Sequence, residues 1–163
     1  MKLKIVLMVF VFLSGCGKAV TKGEPAAAFS LSSLVSDQTI TLSDYKGKVV
    51  YLDFWASWCK PCIESFPKLD KLHSKYKDQG FAVIAVNLDQ SKDLALAFLQ
   101  TNSVGYQVLY DDGAKVAGLY DVSSMPSSYF IDKKGIVRLA HQGFRPSDEI
   151  KIEKAIQHLL AEK

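Results

Sequence analysis

The sequence predicts an α/β fold in which a central mixed sheet carries helices on both faces. Two near-continuous apolar runs rich in β-forming residues, 48–55 and 81–88, have the composition of strands buried on both sides. After each run, apolar residues recur at spacings of three and four, as in amphipathic helices. Strands that alternate with helices in this way are typical of the α/β class.

The other elements are predicted in chain order from the same two periodicities and from turn residues. Ser147 is a suitable N-cap for the last helix, because Asp148 and Glu149 place negative charge in its first turn. We predict a strand at 39–42, helices at 59–76, 93–102 and 114–120, a strand at 108–110, a hairpin of strands 128–132 and 136–141, and a final helix from about 147.

Length and composition indicate one globular domain. The 163 residues are 48% hydrophobic and 23% charged, which is too apolar for a disordered chain. Lys2 and Lys4 lie in a segment that we expect to be removed, which leaves 18 Lys and Arg against 17 acidic residues. This balance gives no electrostatic support for nucleic-acid binding, and we expect a monomer.

Residues 1–15 have the pattern of a secretion signal. Two lysines precede nine consecutive apolar residues, 5–13, a run too short to span a membrane but suited to a signal peptide. The following Leu13-Ser14-Gly15-Cys16 resembles the bacterial lipobox, which implies that Cys16 is acylated and becomes the first mature residue. The alternative is an ordinary signal peptide cut later, after Ala19, which would discard Cys16.

The segment after this signal is small and polar. We interpret residues 16–28 as a lipid-anchored tether and 29–163 as the folded domain. The expected location is extracytoplasmic, on a membrane and facing the periplasm. In bacterial lipoproteins, an aspartate directly after the acylated cysteine favours retention at the inner membrane. Gly17 stands at that position here, which favours the outer membrane.

The candidate chemistry lies in Trp58-Cys59-Lys60-Pro61-Cys62, between a predicted strand and a predicted helix. A thiol at a helix N-terminus is near the positive end of the helix dipole, which favours the thiolate that attacks disulfides. A second cysteine three positions later can displace what the first one captures. Pro61 is tolerated in a first helical turn, and Lys60 adds a nearby positive charge.

Other uses of two cysteines fit the sequence less well. A zinc site needs two more ligands, but the three histidines are scattered singly, and His141 in particular is not expected to bind metal. Covalent haem attachment needs a histidine where Ile63 stands. An inert structural disulfide remains open, although a bridge over so short a loop would stabilise the fold only weakly. We expect neither a metal nor a cofactor.

Four segments carry a resemblance to the thioredoxin superfamily, and within it to the TlpA/ResA-like branch of extracytoplasmic thiol–disulfide oxidoreductases. These segments are 42–48, 53–62, 80–86 and 125–135. They occur in the same order along the predicted domain as in members of the family. The resemblance implies a thioredoxin-like fold.

The resemblance also implies roles for individual residues. Cys59 matches the exposed attacking cysteine and Cys62 the buried resolving one. Pro126 matches the cis-proline that faces the disulfide, with Met125 before it, where an extended substrate peptide binds. Trp58 directly precedes the reactive pair, and we expect it to cover one side and contact substrate.

Asp53 is the predicted proton-transfer group. An acid within an apolar strand is costly unless protonated or paired, and this position matches the buried aspartate of thioredoxins. Many TlpA/ResA-like proteins instead carry a glutamate three residues after the second cysteine. Here that position is Ser65, and Glu64 lies one residue earlier, where we expect it to face solvent.

The resemblance favours a net reductant of protein disulfides, for example in cytochrome c maturation or in reducing a disulfide isomerase, with electrons from a membrane thiol carrier. A disulfide-forming oxidase is the main alternative. A thiol peroxidase is less favoured, because peroxiredoxins place Thr and Pro where Ala56 and Leu52 stand. A thioredoxin-fold copper protein is also disfavoured, since its cysteines usually have three residues between them and a distal histidine, whereas only two residues separate Cys59 from Cys62.

Overall fold

The computed structural model describes residues 20–162. The predicted signal peptide, Cys16 and the first residues of the predicted tether therefore lie outside the described residues. Seven strands form one mixed sheet in the order β2-β1-β5-β4-β3-β6-β7. Their bounds are Ser30–Ser33 (β1), Thr39–Thr41 (β2), Val49–Trp55 (β3), Phe81–Asn87 (β4), Gln107–Tyr110 (β5), Ser127–Ile131 (β6) and Val137–Gln142 (β7).

Four α-helices accompany the sheet: Lys60–Tyr76 (α1), Lys92–Thr101 (α2), Lys115–Leu119 (α3) and Asp148–Ala161 (α4). Short 3-10 helices occupy Leu42–Tyr45, Lys77–Gln79 and Asp112–Ala114. The prediction of an α/β fold with helices on both faces is confirmed. Ser147 is the N-cap of α4 as predicted, although its side chain makes no capping hydrogen bond. Among the described residues, no helix is both long and apolar enough to cross a membrane.

The two faces of β3 carry two separate cores. Its odd-numbered apolar residues, Val49, Tyr51 and Trp55, pack with α1, α2 and α4, in a core that also contains both cysteines. Its even-numbered residues Val50, Leu52 and Phe54 pack with α3 and with residues near the start of the described chain. All seven β3 residues are buried, which explains the unbroken apolar run in the sequence.

The β6–β7 hairpin is the predicted one. Its turn is closed by Gly135, whose positive φ of 82° favours glycine, and by the Asp132 carboxylate, which accepts hydrogen bonds from the backbone N–H groups of Lys134 and Ile136. Strand β1 was not predicted, because Ser30–Ser33 lacks the β-branched residues and alternation that mark strands.

Residues 20–28 lie along the domain. The N–H of Gly23 donates to the carbonyl of Val137 at 2.7 Å, and the N–H of Val137 donates to the carbonyl of Glu24 at 2.9 Å. The N–H of Val20 donates to the carbonyl of Leu119 at 3.3 Å, and its side chain packs against the α3-side core. This part of the segment predicted as a tether is therefore held on the fold by backbone hydrogen bonds.

Candidate active site

The two candidate cysteines form a disulfide at the N-terminus of α1. Cys59 is the N-cap and Cys62 lies in the first helical turn, with their Cα atoms 5.3 Å apart. Cys59 keeps 5% of its surface exposed, whereas Cys62 is completely buried. Both cysteines are thus buried in the oxidised protein, and Cys59 is the less buried of the two.

The neighbours of the cysteines make the turn accessible on one side. Trp58 is 68% exposed, which is unusual for so large an apolar side chain. Lys60 is also exposed, and Pro61 occupies the first turn, where the missing N–H leaves no helical hydrogen bond unmade. The positive end of α1 and the Lys60 charge both favour a thiolate at Cys59 once the disulfide is reduced.

The peptide bond between Met125 and Pro126 is cis. Pro126 is buried directly before β6, and Met125 packs against the core that contains the two cysteines. Because β6 is antiparallel to β3, with Phe54 opposite Ser127, the start of β6 lies beside the end of β3. The structure thus brings Cys59, Cys62 and the Met125–Pro126 bond to one edge of the sheet.

Asp53 lies on the α1 side of β3 and is 1% exposed. Its register partners are Ala85 on β4 and Ser128 on β6, so neither neighbouring strand places a cation opposite it. Its Oδ2 has no hydrogen-bond partner within residues 20–162. Burial in this apolar surrounding raises the pKa of Asp53 to about 8.

Tyr106 is a polar neighbour that the sequence analysis did not single out. Its hydroxyl is also buried without a hydrogen-bond partner in the described part of the chain. Burial raises the pKa of Tyr106, and the charge of Asp53 raises it further. No hydrogen bond joins Tyr106 to Asp53 in the described residues, and a phenol could donate one to the carboxylate only if the two groups approach when Asp53 ionises. Tyrosines are common core residues, and nothing in the sequence pattern marked this one.

The helix residues after Cys62 differ from the acid arrangement of many TlpA/ResA-like proteins. Ser65 is buried, and its hydroxyl donates to the carbonyl of Cys62 at 2.7 Å. Glu64 is exposed on α1, as expected. Asp53, rather than Glu64, is therefore a buried acid on the cysteine side of the sheet.

A second carboxylate, Asp89, holds the turn that leads into the cysteines. It is 4% exposed and accepts hydrogen bonds from the N–H of Ser57 at 3.1 Å, from the Ser57 hydroxyl at 3.1 Å and from the Asn87 amide at 2.9 Å. Asn87 in turn accepts from the N–H of Asp89 at 3.0 Å. The sequence signal was available: two polar residues follow a buried strand at the edge where the cysteines lie.

His141 lies on β7, with Nε2 3.6 Å from Oδ2 of Asp148. No group of three or more His, Cys, Asp or Glu side chains within residues 20–162 is arranged to hold a metal ion.

With the geometry described, comparison with known proteins identifies the family. Residues 22–140 match the AhpC/TSA family. The chain belongs to this family. The thiol–disulfide oxidoreductase ResA of Bacillus anthracis is 37% identical over 115 residues, which cover 71% of this chain and 66% of ResA. The chain thus matches slightly less than two thirds of the length of that relative.

Two solved structures are similar over the whole of their own chains. A candidate thiol:disulfide interchange protein DsbE from Chlorobium tepidum is 43% identical, covers 88% of this chain and superposes with a TM-score of 0.84. The exposed lipoprotein thioredoxin Etrx1 of Streptococcus pneumoniae strain TIGR4 is 34% identical, covers 82% of this chain and gives a TM-score of 0.71. These matches confirm the thioredoxin-like fold and the resemblance to the TlpA/ResA-like thiol–disulfide oxidoreductases.

The raised pKa of Asp53 makes stability depend on pH. Folded Asp53 keeps its proton up to about pH 8, whereas an unfolded aspartate releases it near pH 4. The stability that Asp53 contributes is therefore greatest below about pH 4 and is lost as pH rises to about 8. We expect Asp53→Asn to gain stability relative to the wild type across this interval, measured by urea unfolding of the oxidised proteins.

Asp93→Asn is the matched control, because Asp93 is exposed on α2 and its carboxylate meets water in the folded chain. The pH dependence of its stability should follow that of the wild type. Parallel curves for Asp53→Asn and the wild type from pH 4 to 9 would show that the buried carboxyl does not hold its proton.

Proposed function

We propose that this protein is a thiol–disulfide oxidoreductase that exchanges disulfides with protein substrates through Cys59 and Cys62. The observation that carries the proposal is the disulfide at the N-terminus of α1, in which Cys59 keeps 5% of its surface exposed and Cys62 none. The Met125–Pro126 segment at the same edge and the exposed Trp58 provide a surface for an extended substrate. The similarity to ResA supports the same activity.

The exchange proceeds in two displacements. The thiolate of reduced Cys59 attacks one sulfur of a substrate disulfide, forms a mixed disulfide and releases the other substrate sulfur as a thiolate. The thiolate of Cys62 then attacks the Cys59 sulfur, closes the internal disulfide and releases the second substrate sulfur. Two electrons pass to the substrate, and a dithiol donor must return two electrons to the pair.

Asp53 supplies a proton acceptor for the second displacement. Cys62 is completely buried, so its thiol needs an internal base to become a thiolate. A carboxyl with a pKa of about 8 is partly ionised near neutral pH, and its ionised form can accept the Cys62 proton and later return it. Tyr106 can donate to the ionised carboxylate if the two groups then approach each other.

Replacing the resolving cysteine tests the exchange. We expect Cys62→Ala, expressed in its own cell, to accumulate mixed disulfides between Cys59 and its partners, because the second displacement cannot occur. Non-reducing electrophoresis followed by mass spectrometry identifies the partners. Cys59→Ala is the control and should trap none. If Cys59 of the Cys62→Ala protein reacts with alkylating reagents yet captures no protein, the substrate is not a protein.

We propose net reduction as the direction, with a membrane thiol carrier as the electron donor. Candidate substrates are the haem-binding cysteines of apocytochrome c or a disulfide isomerase, and the protein acts as a monomer. Lys60-Pro61 between the cysteines, without a histidine, supports a reductant over an oxidase. The sequence does not support thiol peroxidase activity, because Leu52 and Ala56 stand where peroxiredoxins carry Pro and Thr.

The reduction potential tests the direction. Known dithiol proteins span about −270 mV for reductants to about −120 mV for strong oxidants. We expect a midpoint below about −200 mV when the protein is equilibrated with glutathione or dithiothreitol buffers and the thiols are counted by alkylation. A midpoint near −120 mV would instead assign the role of a disulfide-forming oxidase.

We also propose an extracytoplasmic protein that is attached to a membrane, the outer one where a cell has two, through diacylglycerol on Cys16. The lipobox-like sequence and the apolar run before it support this, as does the similarity to Etrx1, which is an exposed lipoprotein.

The anchor is tested on the mature protein. We expect mass spectrometry of the N-terminal peptide to show a diacylglyceryl group on Cys16, and we expect Cys16→Ser to leave the membrane fraction. Cys59→Ala is the control and should remain in that fraction. An unmodified Cys16, or a mature N-terminus beyond it, would refute the anchor.

A further inference from the structure

A surface cavity lies directly beside the cysteine pair. Pro61 forms one wall, and the other walls come from the end of β7, the following loop and the first turn of α4. The lining side chains that matter here are His141, Arg145, Asp148 and Lys151. None of the functional roles assigned above uses this cavity.

The cavity is continuous with the substrate edge. The N–H of Gly143, which lines the cavity, donates to the carbonyl of Pro126 at 2.8 Å. Pro61 borders it on the other side, between Cys59 and Cys62. A polypeptide joined to Cys59 and extended along Met125–Pro126 therefore has residues a few positions from its cysteine over this cavity.

The negative charge in the cavity is already neutralised. Asp148 is 6% exposed, its Oδ2 accepts from the N–H of Arg145 at 2.9 Å, and its Oδ1 is 3.2 Å from Nζ of Lys151. Hydrogen bonds and the Lys151 charge hold the pKa of Asp148 below its usual value despite its burial. Asp148 and Lys151 thus form an internal pair.

Two cations near Pro61 have no such partner. The Arg145 guanidinium is exposed and makes no ion pair or hydrogen bond with any residue in 20–162, and Lys60, next to Pro61, is exposed in the same way. The exposed Glu64 lies four positions after Lys60 on α1 without an ion pair to it in the described residues, so these three side chains leave one net positive charge beside the disulfide. A guanidinium presents two parallel N–H donors that match a carboxylate.

We propose that this cavity binds a carboxylate of the protein substrate, from an Asp or Glu within a few residues of the attacked cysteine. Arg145 makes the paired contact, and Lys60 attracts the acidic segment during encounter. This inference rests on the proposed function and adds to it a preferred class of substrate: polypeptides with an acidic residue next to the disulfide.

The test uses synthetic peptides with one disulfide each. The peptides share one sequence and carry Glu, Gln or Lys at one of the three positions after the attacked cysteine. The second-order rate of their reduction by fully reduced protein is measured at low salt. We expect the Glu peptide at its best position to react about threefold to tenfold faster than the Gln peptide, and the Lys peptide to react more slowly than both.

Variants assign the preference to Arg145. Arg145→Ala should reduce the advantage of Glu over Gln to the smaller part that Lys60 contributes, and Arg145→Lys should keep more of that advantage than Arg145→Ala. Lys154→Ala is the matched control, because Lys154 is exposed on α4 but does not line the cavity. It should keep the whole advantage. Half-molar NaCl should reduce the rate advantage of the Glu peptide in every variant that shows this advantage.

The outcomes separate the inference from the proposed function. Equal rates for Glu, Gln and Lys peptides at all three positions would overturn the carboxylate site while leaving the exchange activity in place. An advantage for Glu that is as large in Arg145→Ala as in the wild type would overturn the role of Arg145 and of this cavity. Failure to reduce any of the peptides would overturn the proposed function, and with it this inference.

Discussion

The antiparallel pairing of β6 with β3 is the interaction on which the site depends. It sets Phe54 opposite Ser127, so the chain that leaves β3 toward Cys59 passes the chain that enters β6 from Pro126. A slip of one residue in β3 would turn Asp53 to the α3 side of the sheet, because side chains alternate between faces. The residues of β3 are all buried, and this burial opposes any such slip.

The site also concentrates groups that are costly for folding. The Asp53 carboxyl, whose Oδ2 accepts no hydrogen bond from the described residues, lowers stability at neutral pH. Two further buried polar atoms in the same core, Trp55 Nε1 and Tyr106 Oη, likewise have no partner among residues 20–162. Aromatic contacts around them, such as Trp55 with Phe66 at 4.5 Å, provide favourable packing on the same side of the sheet. Buried polar atoms normally have hydrogen-bond partners, and exceptions to this rule are common at functional sites.

The sequence predicted the long elements and the cysteines because their signals are local. A fully buried strand shows as an apolar run, and a CxxC pair shows by its spacing. Strand β1 was missed because Ser30–Ser33 is a strand only through its partners, β2 and β5. Tyr106 and Arg145 could not be assigned, since their relevance comes from contacts or positions between segments far apart in the chain, whereas Asp89 had a local signal that was not used. The backbone hydrogen bonds of residues 20–28 are likewise formed with distant segments.

If the proposed lipid anchor on Cys16 is present, the path of the first described residues determines which side of the domain lies nearest the membrane. Val20 packs on the α3 side of the sheet, whereas Cys59 and Cys62 lie on the α1 side. Cys16 precedes Val20 by four positions, and four extended residues reach about 14 Å. In a lipid-anchored protein the bilayer would thus lie close to the α3 side. The reactive sulfur would then point away from the lipid, toward large partners arriving from the aqueous compartment.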